Sequence, residues 1–326
     1  MHRRAKAVLG VVLLVPLVGA AAYDARTAGT LSGARTGLTI IAPASPGGGW
    51  DTLARQLQAT MREEGVVTNP QVVNVPGAAG TIGLAQLQEM DGQSDVLMVT
   101  GTVMVGGVEI NHSPVGIDDV TPIARTTDDY EIIVVPADSP LESVDDLVAA
   151  WQDDPGAVAV GGGSLGGTDQ LLAAQLALAV DVPATDVNYI AYSGGGEAIA
   201  ALLSGASDVG ISGYNEFADQ IEAGRLRALA VSAPEPQPEL GIPTLYELGY
   251  DVHQGNWRGV LAPPGLTDEE TQELEDIITE TLATPTWQQT LETNQWVDAE
   301  LVGDDFAAFV DDEVARIRQI LEEAGL

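Results

Sequence analysis

Three short stretches place glycine and hydroxyl residues between a β-like run and a helical pattern. The first is Ser45-Pro46-Gly47-Gly48-Gly49-Trp50-Asp51, preceded by the apolar residues 38–41 and followed by Leu53, Leu57 and Met61 on one helical face. The second spans residues 161–169 and carries Ser164, Gly166, Gly167, Thr168 and Asp169; the third is Ser193-Gly194-Gly195-Gly196. A glycine-rich turn that opens a helix exposes unpaired backbone N–H groups at the positive end of the helix dipole. The chemistry of that arrangement is anion capture. The plainer reading is a tight turn in which glycine only supplies positive φ. Three occurrences in one chain favour the first reading, because parallel α/β sheets bind ligands at such turns.

The remaining chemical inventory excludes much. Lys6 is the sole lysine, and it lies in the N-terminal segment, so the rest of the chain has no Walker or Schiff-base lysine. There is no cysteine, and His112 and His253 stand far apart without a zinc-type spacing. No Ser–His pairing has local support. With 48 acidic residues, a chance carboxylate pair carries little information, and a solvated face explains most of them. No metal or nucleotide cofactor is expected, and no general base can be assigned.

The elements that must position these turns follow from composition and pattern. The chain has 326 residues, 45% of them hydrophobic, which suits about two domains. Its N-terminus has a basic head (His2, Arg3, Arg4, Lys6), an apolar run over residues 7–18 and small residues before Tyr23. This reads as a secretory signal over residues 1–22, cleaved near Ala22; the alternative is a permanent anchor, for which the run is short. Net charge is −35, and −38 once the signal's Arg3, Arg4 and Lys6 are removed. Such a surface repels nucleic acid, so that partner class is excluded.

Along the chain, strand-like runs alternate with helical patterns, the mark of an α/β fold. "DVLMVTGT" reads as a buried strand, "EIIVVPADSP" as another ended by prolines, and "SVDDLVAAWQ" as a helix capped by Ser143. No fixed-period repeat is present.

The sequence resembles the solute receptors of tripartite tricarboxylate transporters, the Bug-type receptors, over residues 38–326. The resemblance rests on "PGGGWDTLAR" at 46–55, "VVNVPGAAGTIGLAQL" at 72–87 and "GGGSLGGTDQLLAAQLA" at 161–177. It continues through "YSGGGEAIAALLSGASDVGISG" at 192–213 and "NWRGVLAPPGL" at 256–266. It implies an α/β, two-domain, periplasmic-binding-protein-like fold of type II, the Venus flytrap. Domain 1 would comprise residues 38–136 and 251–326, and domain 2 residues 137–250. The chain would cross between them near Pro136 to Pro140 and again near Tyr250 to Gly259, with helices at 268–282 and 304–326 returning to domain 1.

The resemblance also implies a ligand carboxylate gripped between residues 45–51 and residues 162–169. Ser45, Pro46, Gly47, Gly48, Gly49, Trp50 and Asp51 form one wall; Ser164, Gly166, Gly167, Thr168 and Asp169 form the other. Thr102, Ser193, Gly194, Gly195, Asn215, Trp257 and Arg258 complete the expected site. Trp50 stands where many relatives carry Thr, and Asp169 where they carry a small polar residue. Asp169 either caps its helix or repels a second ligand carboxylate. Arg258 reads as a bidentate clamp or as a surface ion pair, and Trp257 as packing or as a ligand stack. Trp50 and Trp257 are expected to report closure, and Trp287 and Trp296 to stay silent. The implied function is an extracytoplasmic receptor for a small organic acid, a di- or tricarboxylate, delivered by a monomer to large and small integral-membrane permease subunits. A receptor that signals to a membrane kinase, or an enzyme acting on a carboxylate, would use the same cleft.

Overall fold

The computed structural model describes residues 33–192 and 195–326, so the expected signal at residues 1–22 lies outside it, as do Ser193 and Gly194. A short helix α1 (Gly33–Thr36) leads into β1 (Gly37–Ala42), whose apolar side chains suit a buried strand. Then come α2 (Gly49–Glu63), β2 (Asn69–Asn74), α3 (Thr81–Gln88), β3 (Val96–Gly101), α4 (Thr102–Ile110) and β4 (Thr121–Asp128). The second run comprises β5 (Glu131–Pro136), α5 (Val144–Asp153), β6 (Ala159–Gly162), α6 (Thr168–Ala179), β7 (Asn188–Ala191), α7 (Gly195–Ser204), β8 (Val209–Gly213), α8 (Tyr214–Glu222) and β9 (Leu226–Val231). The chain ends with β10 (Arg258–Ala262), α9 (Asp268–Leu282), α10 (Pro285–Asn294), β11 (Val297–Val302) and α11 (Asp304–Ala324).

These strands form two sheets, ordered β11-β4-β10-β3-β1-β2 and β7-β6-β8-β5-β9. In the first, β1 runs parallel to β2 and β3, whereas β10 is antiparallel to β3 and β4. In the second, β6 is parallel to β7 and β8, and β5 is antiparallel to β8 and β9. Each sheet is the centre of a lobe with its own apolar core. The helices cover them by the usual amphipathic logic: α2 buries Leu53, Ala54, Leu57 and Met61. Gly77 to Ala79 lead into α3 through two left-handed alanines, Ala78 and Ala79.

The first crossing between lobes is not where the sequence placed it. Pairing Glu131 with Gly213 puts the whole of β5 in the second sheet, so the chain crosses at Asp129 and Tyr130 rather than near Pro136 to Pro140. The prolines end β5; they do not leave the lobe. The chain returns to the first sheet at residues 255–257, just before β10 begins at Arg258. The two crossings run side by side, joined by a Tyr130–Gly255 bridge and an Asn256 N–H bond to the Asp129 carbonyl.

The last helix ties the lobes together. Phe306, Val310, Glu313, Ile317, Leu321 and Ala324 make one buried stripe on α11, at spacings of three and four. The upper stripe packs into the first core, while Ala324 belongs to the second. The helix ends at Gly325, left-handed at φ 71°, beside Thr185 of the second lobe. The sequence reading gave the bounds of α9 and the start of α11, but missed α10 and β11 between them.

Candidate functional site

The first two glycine turns share one backbone design. Ser45-Pro46-Gly47-Gly48 and Ser164-Leu165-Gly166-Gly167 each close with the fourth N–H donating to the serine carbonyl, at 3.3 Å and 2.9 Å. Gly47 (φ 90°) and Gly166 (φ 72°) hold the third position, where positive φ makes glycine the favoured residue of a type II turn. Gly48 and Gly167 then cap α2 and α6 with extended backbone and no side-chain acceptor. Both helices therefore open with first-turn N–H groups that no cap side chain occupies, the donors an anion needs.

Side chains at the third helical position brace these turns from behind. Asp51 accepts from Gly47 N–H at 2.8 Å, Arg55 Nε at 2.9 Å and Asn74 Nδ2 at 2.8 Å. These bonds, led by Arg55, lower its pKa to about 2, and Asp51 is buried. Gln170 does the same work in the second turn, its Oε1 accepting from Gly166 N–H at 2.7 Å. Asp51 is thus a brace of the loop. Asp169 stands one residue earlier, in the position matching Trp50, and accepts from Gly163 N–H at 2.5 Å.

The second turn also contains two spacings met in other folds: G-x-G-x-x-G at Gly161, Gly163 and Gly166, and G-x-S-x-G around Ser164. Here Gly161 and Gly162 make room for Ser207, Tyr189 and Tyr192, and Gly166 forms the turn. Neither histidine hydrogen-bonds Ser164 among the described residues, so the spacing carries no triad.

The lobes meet directly at this turn. A Cβ on Gly106 of α4 would overlap the carbonyl of Gly166, and one on Gly166 would meet Ile110 and Gly106. Leu171 of α6 joins the first lobe's core. Thr102 is buried with its hydroxyl donating to the Gly255 carbonyl at 3.3 Å, which stitches α4 to the return crossing. Asn215, at the start of α8, donates through Nδ2 to the Asn294 carbonyl at the end of α10, a second bond between lobes.

Arg258 is buried rather than a surface pair. Its Nη2 lies 2.9 Å from Asp129 Oδ2, and it would stand 3.3 Å from a Cβ on Gly49. Its guanidinium also sits 5.6 Å from the Trp296 ring, so Trp296, expected to be silent, lies beside an arginine that reaches the first turn. Trp257 is fully buried against Phe306 and Phe309, with Nε1 donating to Glu313 at 3.0 Å, and serves the first lobe's core. Trp50 packs beside Gly80 and Gly101. Gly195 begins α7.

Sequence reasoning missed the carboxylates at the crossing. Asp128, Asp129 and Glu131 are drawn into the hinge and the head of β5, where Arg125 pairs with Asp128 and Asn256 donates to Glu131 at 3.0 Å. Burial raises Asp128 to about 6 and Asp169 to about 7, and lifts Glu131 well above the usual range. Burial also raises Asp129, outweighing its Arg258 partner. The signal was present in "TTDDYEIIVVP": three acids that run into a fully apolar strand cannot all face water.

A concavity of about 460 Å³ on the first lobe is lined by Val105, His112, Ile117, Val314 and Arg318 among others, with no residue of either glycine turn in its lining. Its arginine, Arg318, is paired with Glu109. The turns are the better candidate. Among the described residues no group of three His, Asp or Glu side chains is placed to hold a metal, and no helix is long and apolar enough to cross a membrane.

Two α/β lobes, two adjacent crossings and a glycine turn opening an uncapped helix in each lobe define a fold of the periplasmic solute-binding type. The chain is 28% identical over 295 residues to protein BugT of Bordetella pertussis, covering 88% of this chain and 89% of that one. Its fold matches a TctC solute-binding protein from Polaromonas (TM-score 0.71, 25% identity, 90% of this chain and 100% of that one). It also matches R. palustris Rpa4515 with adipate (TM-score 0.78, 22% identity, 90% and 99%). The profile of the tripartite tricarboxylate transporter family receptors covers residues 53–326, and the chain belongs to that family.

Proposed function

We propose that the protein is an extracytoplasmic receptor that closes its lobes over a small organic acid, a di- or tricarboxylate, and delivers it as a monomer to the large and small subunits of a membrane permease. The observation that carries this reading is the matched pair of turns, each opening a helix whose first N–H groups meet no cap side chain. A carboxylate seated on the first-turn N–H groups of α2 (Gly49 to Asp51) and of α6 (Thr168 and Gln170) would bridge the lobes, with hydroxyls from Ser45, Ser164 and Thr168 adding to the wall. Charge-assisted hydrogen bonds contribute about 1.5–3 kcal/mol each, so three or four support micromolar binding, about −8 kcal/mol, after ordering costs. The adipate named with the Rpa4515 structure is consistent with this class. Because the chain's net charge is −35, its overall field repels an anion, and capture rests on these local donors. The N-terminal 22 residues act as the export signal in this reading.

The test is calorimetry and thermal shift against a panel of organic acids, their amides and neutral analogues. Acids should bind and stabilise; amides should not. A preference for an amide or a sugar overturns carboxylate capture.

A further inference from the structure

The two lobes bring different groups to the proposed site, a cation on the first and carboxyls on the second. On the first lobe stand the Gly47–Gly49 turn and Arg258, whose guanidinium lies beside Gly49. On the second, Glu131 heads β5 opposite Gly213, Asp169 lies in the first turn of α6, and Glu216 lies in the first turn of α8. All three occupy the carboxyl edge of the parallel strands β6 and β8, where open α/β sheets bind ligands. Charges that act on Glu131 come from Asp169, Asp129, Glu216 and Arg258, and those on Asp169 from Glu216 and Asp129. Arg258 is engaged by Asp129 and Arg125 by Asp128, so neither Glu131 nor Asp169 has an ion-pair partner among the described residues.

Independent observations point from this cluster to a ligand. Glu131 is fully buried, and its Oε2 meets no hydrogen-bond donor, although Oε1 is satisfied by Asn256. Thr168, next to Asp169 and 1% exposed, likewise has a hydroxyl without a partner. Buried polar atoms are ordinarily paired, and those left open on two separate elements at this sheet edge await a partner. A second carboxylate could be met there only while the carboxyls keep their protons, against three acidic groups gathered at one edge. A primary ammonium offers three N–H donors and the opposite charge.

We propose that Glu131 and Asp169 form a cation subsite on the second lobe, and that the captured acid carries a primary ammonium, its carboxylate held by the first-turn N–H groups of α2 and α6 and its ammonium by Glu131 and Asp169. This rests on the carboxylate-capture reading and narrows it to amino-bearing acids. Thr168 completes the ammonium's contacts, and Arg258 is held by Asp129.

The experiment compares matched pairs that differ only by the amino group: succinate with aspartate, glutarate with glutamate, and butanoate with 4-aminobutanoate. Calorimetry on the full mature chain should find the amino member of a pair at least tenfold tighter. E131Q and D169N, each close in shape to the native side chain, should remove that preference, so that within each variant the amino member binds no tighter than its plain partner. Binding measured at pH 7 in buffers of different ionisation enthalpy gives a readout that needs no variant. An ammonium should drive protons off the buried carboxyls, so the amino ligand releases protons on binding. Plain acids binding as tightly as their amino partners, or proton uptake with the amino ligand, would overturn the cation subsite while leaving carboxylate capture standing. If no acid of either kind binds, carboxylate capture itself falls and the subsite falls with it.

Discussion

Gly106→Ala separates lobe closure from folding. The three nearest atoms to a Cβ on Gly106 all belong to Gly166 of the other lobe, and the closest is its carbonyl oxygen. Carbon–oxygen contacts settle at about 3.3 Å or more, so the lobes must part by on the order of 1.5 Å to admit the methyl group. Both partners are backbone, one in a helix and one in a type II turn, and neither yields by rotating a side chain. Overpacking of this kind costs about 1–3 kcal/mol. A cost of about 2 kcal/mol falls on the closed form alone, which is the form that holds a bridging ligand, so apparent affinity should drop roughly 30-fold. The assay is calorimetry with whichever organic acid the panel selects, beside small-angle scattering with ligand at saturation. The variant should bind weakly and remain more expanded than the wild type, while circular dichroism and cooperative unfolding stay native. Gly166→Ala is a poorer probe, because its positive φ strains the turn as well. An affinity within threefold of wild type, with the same ligand-induced compaction, would refute the idea that this glycine contact is the closed interface.

Other outcomes follow from the same geometry. Gly48 has φ −79° and ψ 169°, values valine accepts, and nothing closer than 3.6 Å to its would-be Cβ, so Gly48→Val should fold and yet block carboxylate approach, abolishing binding in calorimetry. Ser164→Ala should cost only about 1–2 kcal/mol of affinity, one hydrogen bond's worth. Asp128 and Asp169 hold protons in the folded state that the unfolded chain releases above its ordinary carboxylate pKa. Stability should therefore fall as pH rises from about 4 towards 7, and unfolding midpoints of the ligand-free protein should be lower at pH 8 than at pH 5. Asp169→Asn should flatten that slope, and an unchanged slope would remove Asp169 from the account. Asp51 acts oppositely, since its lowered pKa contributes stability that is lost only as pH falls from about 4 towards 2. Mass spectrometry of exported protein should find a chain beginning near Tyr23; an intact Met1 would refute the cleaved signal.

What the sequence made legible was what local chemistry dictates. Glycine at a strand–helix junction has few other uses, so both turns and the starts of α2 and α6 could be found without coordinates. The register of a strand relative to a distant partner is not local. "EIIVVP" reads the same in either lobe, and only the pairing of Glu131 with Gly213 assigns it to the second. The hinge moved by several residues for that reason. The charge environment failed for a related cause. Asp128, Asp129, Glu131, Asp169 and Glu216 are spread over 89 positions, and in a chain with 48 acids none stands out until the fold gathers them. The setting of Trp296 was hidden in the same way: its place between C-terminal elements does not show that the first lobe's sheet brings Arg258 across to it.

The hinge and the cleft are one structure rather than two. Asp129 lies in the outgoing crossing and Arg258 begins β10 just past the returning one, so their ion pair spans the joint while the same guanidinium reaches the first glycine turn. Glu131, two residues beyond Asp129, stands on the second lobe with the second turn's Asp169, and the two carboxyls act on one another. Motion at the joint therefore changes the distance between Arg258 and these carboxyls directly, with no relay of intervening side chains. An ion pair in this position is mainly a geometric device, because burying it gains little net stability, while breaking it leaves two buried charges exposed to one another's absence. Arg258 is shared between the joint and the first glycine turn, so in the two-lobe capture proposed above a change in the angle between the lobes would reach that turn through this side chain.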